Sequence, residues 1–297
     1  MAAAAITSLS WAQAADSGDC ERQLGYKPRH GQEGKDSLWS ATPPALVTRM
    51  LQMAGTSARD FVVDLGAGDG RIPIAAARRF GARALGIEYN PDLVKLAQCI
   101  VQAEGFGDRV RIVEGDIFKA DFSQADVVTM YLPPQTTLCL RHRLLALQPG
   151  VRVVSHEFTL GDWRPDETGG IENYPAHLWI VPARIGGSWA FRLRGGAEQF
   201  TVELHQEFQR IRGEIAFGKT RRPLAGATLR GDEVRFAYRD ERDVAWVFTG
   251  RVQGRTMAGE SRAKGMAELN LDAARLGEAD PAAWAWLQPQ CRSFYGG

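Results

Sequence analysis

Cysteine is scarce in this chain, with only four among 297 residues. So few cysteines exclude a fold built on a disulfide framework, and their wide spacing is not that of a structural zinc site. Cys99 and Cys139 lie in apolar, helical stretches, which predicts small core residues. Cys20 and Cys291 lie in the two terminal segments, and we expect them to pair if the protein is exported. We predict no metal site.

An excess of charge of one sign is also missing, because 36 Lys and Arg residues face 35 Asp and Glu residues. Without a strongly basic surface, a nucleic acid is not a favoured partner. The densest basic cluster, from Lys219 to Arg222, is explained by a solvated loop. No apolar run reaches the roughly 18 to 20 residues that a membrane-spanning helix needs, so we predict no membrane span.

The beginning of the chain has two interpretations. The segment from Met1 to Trp11 is small and apolar, and Ala12-Gln13-Ala14 is typical of an export-signal cleavage site. The basic residues that usually precede such an apolar segment are missing. Residues 1–14 are therefore either a signal peptide, which would place the protein in the periplasm or outside the cell, or an Ala-rich tail on a cytoplasmic protein.

Strand and helix signals alternate in the first half of the chain. A helix is predicted after Thr42-Pro43-Pro44, since proline is favoured in a first turn. Alternating units of this length indicate a parallel sheet with helices on both faces. A loop is predicted after Trp163, and the run from Leu178 to Val181 is a candidate last strand. The predicted strands cover 61–65, 83–88, 109–114, 126–131 and 151–157, and the predicted helices cover 71–80, 91–104 and 135–147.

Beyond Gly186 the apolar residues recur with a period of two, separated by turn signals such as Gly195-Gly196. This pattern predicts a small antiparallel sheet or barrel of roughly six or more strands. The fold class is thus α/β, a Rossmann-like doubly wound sheet followed by an antiparallel β domain. We predict a tail with the possible signal peptide (1–36), an α/β domain (37–184), the β domain (185–272) and a C-terminal tail (273–297) with a short helix at 281–287.

The run from Phe61 to Arg71 is typical of a nucleotide-cofactor site. Phe61 to Leu65 is suited to a buried parallel strand, and the glycines after it allow a sharp turn close to a ligand. The dinucleotide fingerprint has glycines at positions one, three and six, whereas here they fall at Gly66, Gly68 and Gly70. This spacing makes a nicotinamide or flavin cofactor the weaker interpretation.

The Asp-x-Gly-x-Gly-x-Gly run, with the acidic Glu88 about twenty positions later, resembles the first motif of class I S-adenosylmethionine-dependent methyltransferases. The resemblance implies that glycines approach the methionine part of the cofactor, that Asp64 orients its amino group and that Glu88 binds the ribose hydroxyls. Asp116 matches the position that binds the adenine amino group. The residues implied at the cofactor site are Thr42, Asp64, Gly66, Ala67, Gly68, Gly70, Glu88, Tyr89, Asp116, Ile117 and Tyr131.

The predicted fourth strand ends in Met130-Tyr131-Leu132-Pro133-Pro134-Gln135. Amino-group methyltransferases of nucleic acids carry a polar residue and an aromatic residue around a similar Pro-Pro pair. Here Leu132 and Gln135 stand in those places, so the groups that would hold a flipped base are missing. Methylation of DNA or RNA adenine is therefore disfavoured.

Over residues 39 to 160, three motifs resemble those of a bacterial group related to protein-lysine methyltransferases, including the enzymes that act on the c subunit of the ATP synthase. They are Trp-x-x-Thr-Pro, Asp-Leu-Gly-x-Gly-Asp-Gly-Arg and Gly-Ile-Glu-x-Asn-Pro-x-Leu-Val. The resemblance implies an amine acceptor, on a protein lysine or a small molecule. Tyr131 and Pro133 are candidates for the acceptor wall, and His156 is a candidate proton acceptor. Two alternatives stay open: a non-catalytic exported protein that binds a ligand or partner through its β domain, and an NAD(P)-dependent oxidoreductase.

Overall fold

The computed structural model describes residues 17–34, 38–196 and 199–277. These residues form two β-sheets in succession. The expectations for the signal peptide and for residues 281–287 lie outside the described residues. Within them, no helix has the length and the apolar character needed to cross a membrane.

The described residues form five helices and sixteen strands, numbered in chain order. The helices are α1 (Ser17–Leu24), α2 (Pro44–Met53), α3 (Arg71–Phe80), α4 (Pro91–Ala103) and α5 (Pro134–Leu144). The first sheet contains β1 (Phe61–Leu65), β2 (Arg83–Glu88), β3 (Val110–Glu114), β4 (Val127–Met130), β5 (Arg152–His156), β6 (Glu167–Ile171) and β7 (Tyr174–Ile180). The second contains β8 (Gly187–Leu193), β9 (Gln199–Glu207), β10 (Arg210–Phe217), β11 (Thr220–Pro223), β12 (Ala225–Arg230), β13 (Glu233–Arg239), β14 (Ala245–Gln253), β15 (Thr256–Arg262) and β16 (Leu269–Arg275).

The first sheet has the strand order β3-β2-β1-β4-β5-β7-β6, in which β1 to β5 are parallel. Successive residues of β1 alternate between two hydrophobic cores, so that Val62 packs on one face and Val63 on the other. Helix α4 begins at the predicted position, because Asn90 Oδ1 accepts hydrogen bonds from the amides of Asp92 (2.9 Å) and Leu93 (3.3 Å). The predicted doubly wound sheet is confirmed.

The loop predicted after Trp163 is wrong in part, because β6 and β7 form an antiparallel hairpin there. Strand β7 pairs antiparallel with β5; it contains most of the predicted last strand, but it begins earlier and ends at Ile180. Gly169 and Gly170 suggested a loop, but they lie in β6, an edge strand, where glycine weakens fewer ladder contacts. Pro175 is the second residue of β7, next to the hairpin turn. The hairpin places its tip beside the carboxyl end of β5.

The second sheet is entirely antiparallel and has nine strands, which confirms the predicted antiparallel β domain. It curls until β10 approaches β12, where the amide of Leu224 donates to the carbonyl of Gly213 (2.9 Å). Buried aromatic side chains fill the interior of this nearly closed barrel. The solvated loop predicted from Lys219 to Arg222 is wrong, because Thr220–Pro223 pairs with β10 as β11. Its side chains still reach solvent, which explains the polar composition.

Phe208 anchors the second sheet to the first. It lies in the β9–β10 turn, yet it is only 3% exposed and belongs to the core of the first sheet. Its ring stacks on Trp163, with 6.2 Å between ring centroids, and the Arg141 guanidinium lies 5.4 Å from its centre. Arg141 also donates to the carbonyl of Leu160 (3.1 Å). The second sheet therefore packs on the loop that follows β5.

Replacing Phe208 with alanine is expected to lower the free energy of unfolding by about 3 kcal/mol, since a buried aromatic ring is lost and leaves a cavity. The neighbouring Gln209→Ala is the matched control. It removes side-chain hydrogen bonds to the carbonyl of Arg164 (2.7 Å) and to Asp166, and should cost less than Phe208→Ala, about 1 to 2 kcal/mol. Denaturant titration followed by tryptophan fluorescence measures both variants. Equal losses would show that Phe208 is not the anchor.

A disulfide joins Cys20 in α1 to Cys99 in α4. The predicted pairing of Cys20 with Cys291 is therefore wrong, and so is the assignment of Cys99 as a plain core residue. Cys139 is buried in α5 as predicted, but it too is disulfide-bonded. The physical reason for the first error is α1, which the sequence analysis did not predict. Helix α1 packs on α4, and this contact brings two cysteines that are 79 positions apart in the sequence to a Cα–Cα distance of 5.9 Å.

Candidate cofactor and acceptor site

The glycine run after β1 forms a tight loop at the carboxyl edge of the first sheet. Gly66, Gly68 and Gly70 have φ angles of 80°, 56° and 80°, a left-handed conformation that favours glycine. The amides of Gly66 and Ala67 both donate to the carbonyl of Ile87, at 2.9 and 3.0 Å. The loop is thereby tied to the end of β2, where the next acidic side chain lies.

Glu88 ties this loop to the following helix. Its Oε2 accepts the amide of Gly68 (2.8 Å), and its Oε1 accepts the amide of Asn90 (2.9 Å). Each carboxylate oxygen has two acceptor positions, so one on each oxygen is left for a ligand hydroxyl. Glu88 is thus both part of the loop's structure and a candidate ligand for two adjacent hydroxyl groups.

Asp64 is the most perturbed acid of the site. It is 2% exposed, and its Oδ1 accepts a hydrogen bond from the Thr129 hydroxyl (2.7 Å). Burial raises the pKa of Asp64 to about 7, and the nearby carboxylates of Glu88 and Asp69 raise it further, against the lowering effect of Thr129. A cationic group bound at this place would stabilise the ionised form of Asp64.

The adenine side of the predicted site is formed by the turn after β3. Asp116 and Ile117 line the cleft, and Asp116 Oδ1 accepts the amide of Phe118 (2.9 Å), which shapes the turn. Tyr89, half exposed at the end of β2, lines the same region. The ring of Tyr89 and the aliphatic side chain of Ile117 give this end of the cleft an apolar surface beside a carboxylate.

A segment that precedes α2 covers the cleft. We call it the N-terminal strap, defined as residues 32–34 and 38–42. A Cβ atom built on Gly68 would lie 2.9 Å from Trp39 Nε1, so the strap leaves no room for a side chain there. The Arg71 guanidinium pairs with Asp69 and donates to the carbonyl of Thr42 (3.0 Å), which fastens the strap to the glycine loop.

The cleft encloses about 940 Å³ of empty space, part of which opens to solvent. Gly70 is the one predicted cofactor residue placed elsewhere, as the N-cap of α3. Sequence reasoning missed most of the strap, although Trp39 was part of the Trp-x-x-Thr-Pro motif. The predicted residues that line the cleft are Thr42, Asp64, Gly66, Ala67, Gly68, Glu88, Tyr89, Asp116, Ile117 and Tyr131. Those that were missed include Gln32, Glu33, Leu38, Trp39, Ser40, Asp69, Arg71, Ile72, Asn90, Leu93, Leu132 and Thr136.

The three candidate catalytic residues occupy different places. Tyr131 forms part of the cleft wall, whereas Pro133 is the N-cap of α5 and turns the chain. His156 is 2% exposed and lies behind Tyr131, with 3.8 Å between ring centroids. Its Nδ1 lies 3.1 Å from the Thr42 hydroxyl, and burial lowers its pKa. His156 therefore supports the wall as a neutral ring.

A group that the sequence analysis did not assign lies on the other side of Tyr131. The Tyr131 hydroxyl donates to Glu157 Oε2 (3.0 Å), and its ring stacks on Phe158, with 6.1 Å between centroids. Tyr174, at the start of β7, lies near the His156 ring, with 6.0 Å between centroids. The sequence pattern did not point to Tyr174 as a site residue, because the glycines and prolines around it predicted a loop. Among the described residues, no group of three side chains has the composition of a metal site.

Comparisons with known proteins identify relatives of the first half of the chain. Residues 64–167 match the family described as the ANTKMT methyltransferase domain. A protein-lysine N-methyltransferase of Saccharolobus islandicus is 40% identical over 146 residues, which are 47% of this chain and 91% of that protein. The adenine nucleotide translocase lysine N-methyltransferase of Mus musculus is 40% identical over 106 residues, 35% of this chain, and the chain spans only 46% of its length. A crystal structure described as an RNA methyltransferase from Salinibacter ruber in complex with S-adenosyl-L-homocysteine shares 46% identity (TM-score 0.48) and covers 49% of this chain and 96% of its own.

Proposed function

We propose that the methyl acceptor of this chain is a lysine side chain of a protein. The premise is that the chain belongs to the class I S-adenosylmethionine-dependent methyltransferases related to protein-lysine methyltransferases. The observation that carries the proposal is the extent of the family match. Residues 64–167 contain both the glycine loop and the β4–α5 turn that follows Tyr131. The match to this methyltransferase family therefore extends over Tyr131 on the acceptor side of the cleft as well as over the cofactor side, which supports the proposal.

The residues of the cleft fit S-adenosylmethionine. Asp64 offers a buried carboxylate to an amino group, and Glu88 has an acceptor position left on each oxygen for two ribose hydroxyls. Gly68 leaves room beneath Trp39 where any side chain would collide. When bound, this cofactor supplies an electrophilic methyl group on a positively charged sulfur.

The chain's own residues have two tasks in such a transfer. They must hold the acceptor nitrogen in line with the methyl group, and they must exclude water, because positioning provides most of the catalysis. The N-terminal strap covers the cleft, and Tyr131 with Leu132 forms the wall on the acceptor side. With Leu132 in place of a polar residue, this wall suits an alkyl amine better than a base edge. No observation favours the oxidoreductase or the non-catalytic alternative.

Transfer of a tritiated methyl group tests the proposed function. The full chain, S-adenosylmethionine labelled in the methyl group, and either histones or a bacterial extract are incubated, and label is counted in protein and in RNA. We expect label in protein and methyl-lysine in its tryptic peptides by mass spectrometry, with no transfer to an extract whose lysines have been acetylated. Label confined to RNA, or no transfer at all, would contradict the proposal.

We further propose that the protein folds in an oxidising compartment after export. The disulfide between Cys20 and Cys99 supports this, because stable structural disulfides are rare in a reducing cytosol. Of the two interpretations of residues 1–14, the signal peptide agrees with it. Mass spectrometry of the protein purified from its native cells should find an N-terminus after Ala14. A tryptic peptide that still contains Met1, together with free thiols at Cys20 and Cys99, would contradict export.

A further inference from the structure

We propose that Glu157, with the rings of Tyr131 and Tyr174, forms the entrance site that binds the ε-ammonium of the acceptor lysine. The inference rests on the proposed function and identifies the part of the same site that recognises the acceptor. The first observation is position. Glu157 directly follows β5, at the carboxyl edge of the sheet where the cofactor loops also lie, and Tyr131 separates it from the cleft.

The backbone of Glu157 adopts a conformation that its residue type disfavours. Its φ angle is 66°, a strained conformation for a non-glycine residue that persists only where the surroundings impose it. Here they do, since the amide of Glu157 donates to the carbonyl of Pro175 (2.8 Å), and His177 Nε2 lies 3.2 Å from its carbonyl oxygen. The β6–β7 hairpin thus holds Glu157 in place and directs its side chain towards Tyr131.

The Glu157 carboxylate is exposed and has no cationic partner in the described part of the chain. Its one side-chain partner there is Tyr131, whose pKa is raised by burial, by the hydrogen bond to Glu157 and by the charge of that carboxylate. The Tyr131 phenol therefore stays protonated and donates. A single neutral donor leaves most acceptor positions of the carboxylate available. An arriving ammonium would complete a charge-assisted hydrogen bond there.

Aromatic rings form a cluster beside this carboxylate. The Tyr131 ring, whose hydroxyl donates to Glu157, stacks on Phe158 and lies at a tilt against His156, and Tyr174 meets the His156 ring edge to face. Tyr174 is 45% exposed, although it is a large aromatic side chain at a hairpin tip. Ring faces attract alkylammonium ions by cation–π interaction. A carboxylate beside such a ring cluster is the arrangement that selects a lysine head group.

His156 keeps the entrance free of positive charge. Burial lowers its pKa, and Glu157 only partly opposes this, so the ring is neutral near pH 7. Among the described residues its Nε2 has no hydrogen-bond partner. A protonated imidazole 3.8 Å from the Tyr131 ring would repel an ammonium, whereas a neutral one supports the two rings as a spacer. Lysine binds here in its charged form and releases a proton to solvent before its nitrogen reacts.

A binding experiment with the full chain tests this site independently of catalysis. The probe is a fluorescein-labelled peptide, Gly-Ser-Gly-Lys-Gly-Ser-Gly, measured by fluorescence polarisation with saturating S-adenosylhomocysteine. We expect the peptide to bind at least about tenfold more tightly than its Nε-acetyl-lysine form, because acetylation removes the charge. Glu157→Gln should weaken the lysine peptide by about tenfold or more while changing the affinity for S-adenosylhomocysteine less than about twofold. Tyr131→Phe, which keeps the ring, should weaken it less.

Glu214→Gln is the matched control, because Glu214 is an exposed carboxylate on β10 in the second sheet. Its effect on peptide binding should be within about twofold. Equal binding of the lysine and acetyl-lysine peptides, or equal affinity of Glu157→Gln and the unmutated protein, would overturn the inference. So would the absence of binding by the unmutated protein. If the lysine peptide binds as expected but no lysine is methylated, the proposed function fails and the entrance site stands.

Discussion

Glu88→Ala is expected to weaken S-adenosylhomocysteine binding by at least about 100-fold, since two charge-assisted hydrogen bonds of about 1.5 to 3 kcal/mol each are lost. A further cost arises inside the protein. The amides of Gly68 and Asn90 lose their acceptor, so the glycine loop is no longer tied to the beginning of α4. The substitution therefore removes a ligand contact and loosens the loop that approaches the ligand.

Glu114→Ala is the control for this experiment. Glu114 is the register partner of Glu88 on the neighbouring strand β3, and its side chain is exposed. Isothermal titration with S-adenosylhomocysteine should find its affinity within about twofold of the unmutated protein. Circular dichroism would verify that both variants are folded. If Glu88→Ala and Glu114→Ala bind equally well, the assignment of Glu88 to the cofactor is wrong.

S-adenosylhomocysteine binding is expected to weaken by up to about 100-fold between pH 7.5 and pH 5, because ionised Asp64 is the form that attracts the amino group. The pKa of Asp64 in the free protein is about 7. Its carboxylate is therefore mostly ionised at the higher pH and about 1% ionised two pH units below its pKa. S-adenosylhomocysteine therefore binds tightly above pH 7, and its affinity falls as the pH drops below that value.

Asp64→Asn separates this effect from other titrations. The variant should bind more weakly than the unmutated protein at pH 7.5 and should show a flat profile down to pH 5, measured by titration calorimetry at each pH. At pH 5, where the native side chain is mostly neutral, the two proteins should converge. A pH profile of Asp64→Asn as steep as that of the unmutated protein would assign the titration to another group.

The same side chain carries a cost in stability. The folded protein holds the Asp64 proton more tightly than the unfolded chain does, because the folded pKa is raised from 3.8 to about 7. The stabilisation that comes from protonated Asp64 is complete below the unfolded pKa and is lost as the pH rises towards 7. The free energy of unfolding falls by on the order of 4 kcal/mol over this range. Asp64→Asn should therefore stabilise the cofactor-free protein at neutral pH while it weakens cofactor binding.

The cofactor half of the site was predictable because its residues follow a local pattern. Each parallel strand places its carboxyl end at one edge, so Asp64, Glu88 and Asp116, which lie at or just after successive strand ends, are near each other wherever the fold is recognised. Glycine spacing adds the turn geometry, since left-handed φ angles favour that residue. Period-two alternation was similarly sufficient for the second sheet. In each case the information lies within single elements and the turns that directly follow them.

The remaining features depend on contacts between distant segments, which no local pattern records. Trp39 covers Gly68 because the strap folds back over the cleft, and Cys20 pairs with Cys99 because α1 packs on α4. Tyr174 reaches the His156 ring behind Tyr131 because β7 pairs antiparallel with β5, in a stretch whose glycines and prolines indicate a loop. The strand ends and the cofactor class follow from the amino-acid pattern. The entrance for the acceptor arises from packing across the chain, where tertiary contacts outweigh local preference.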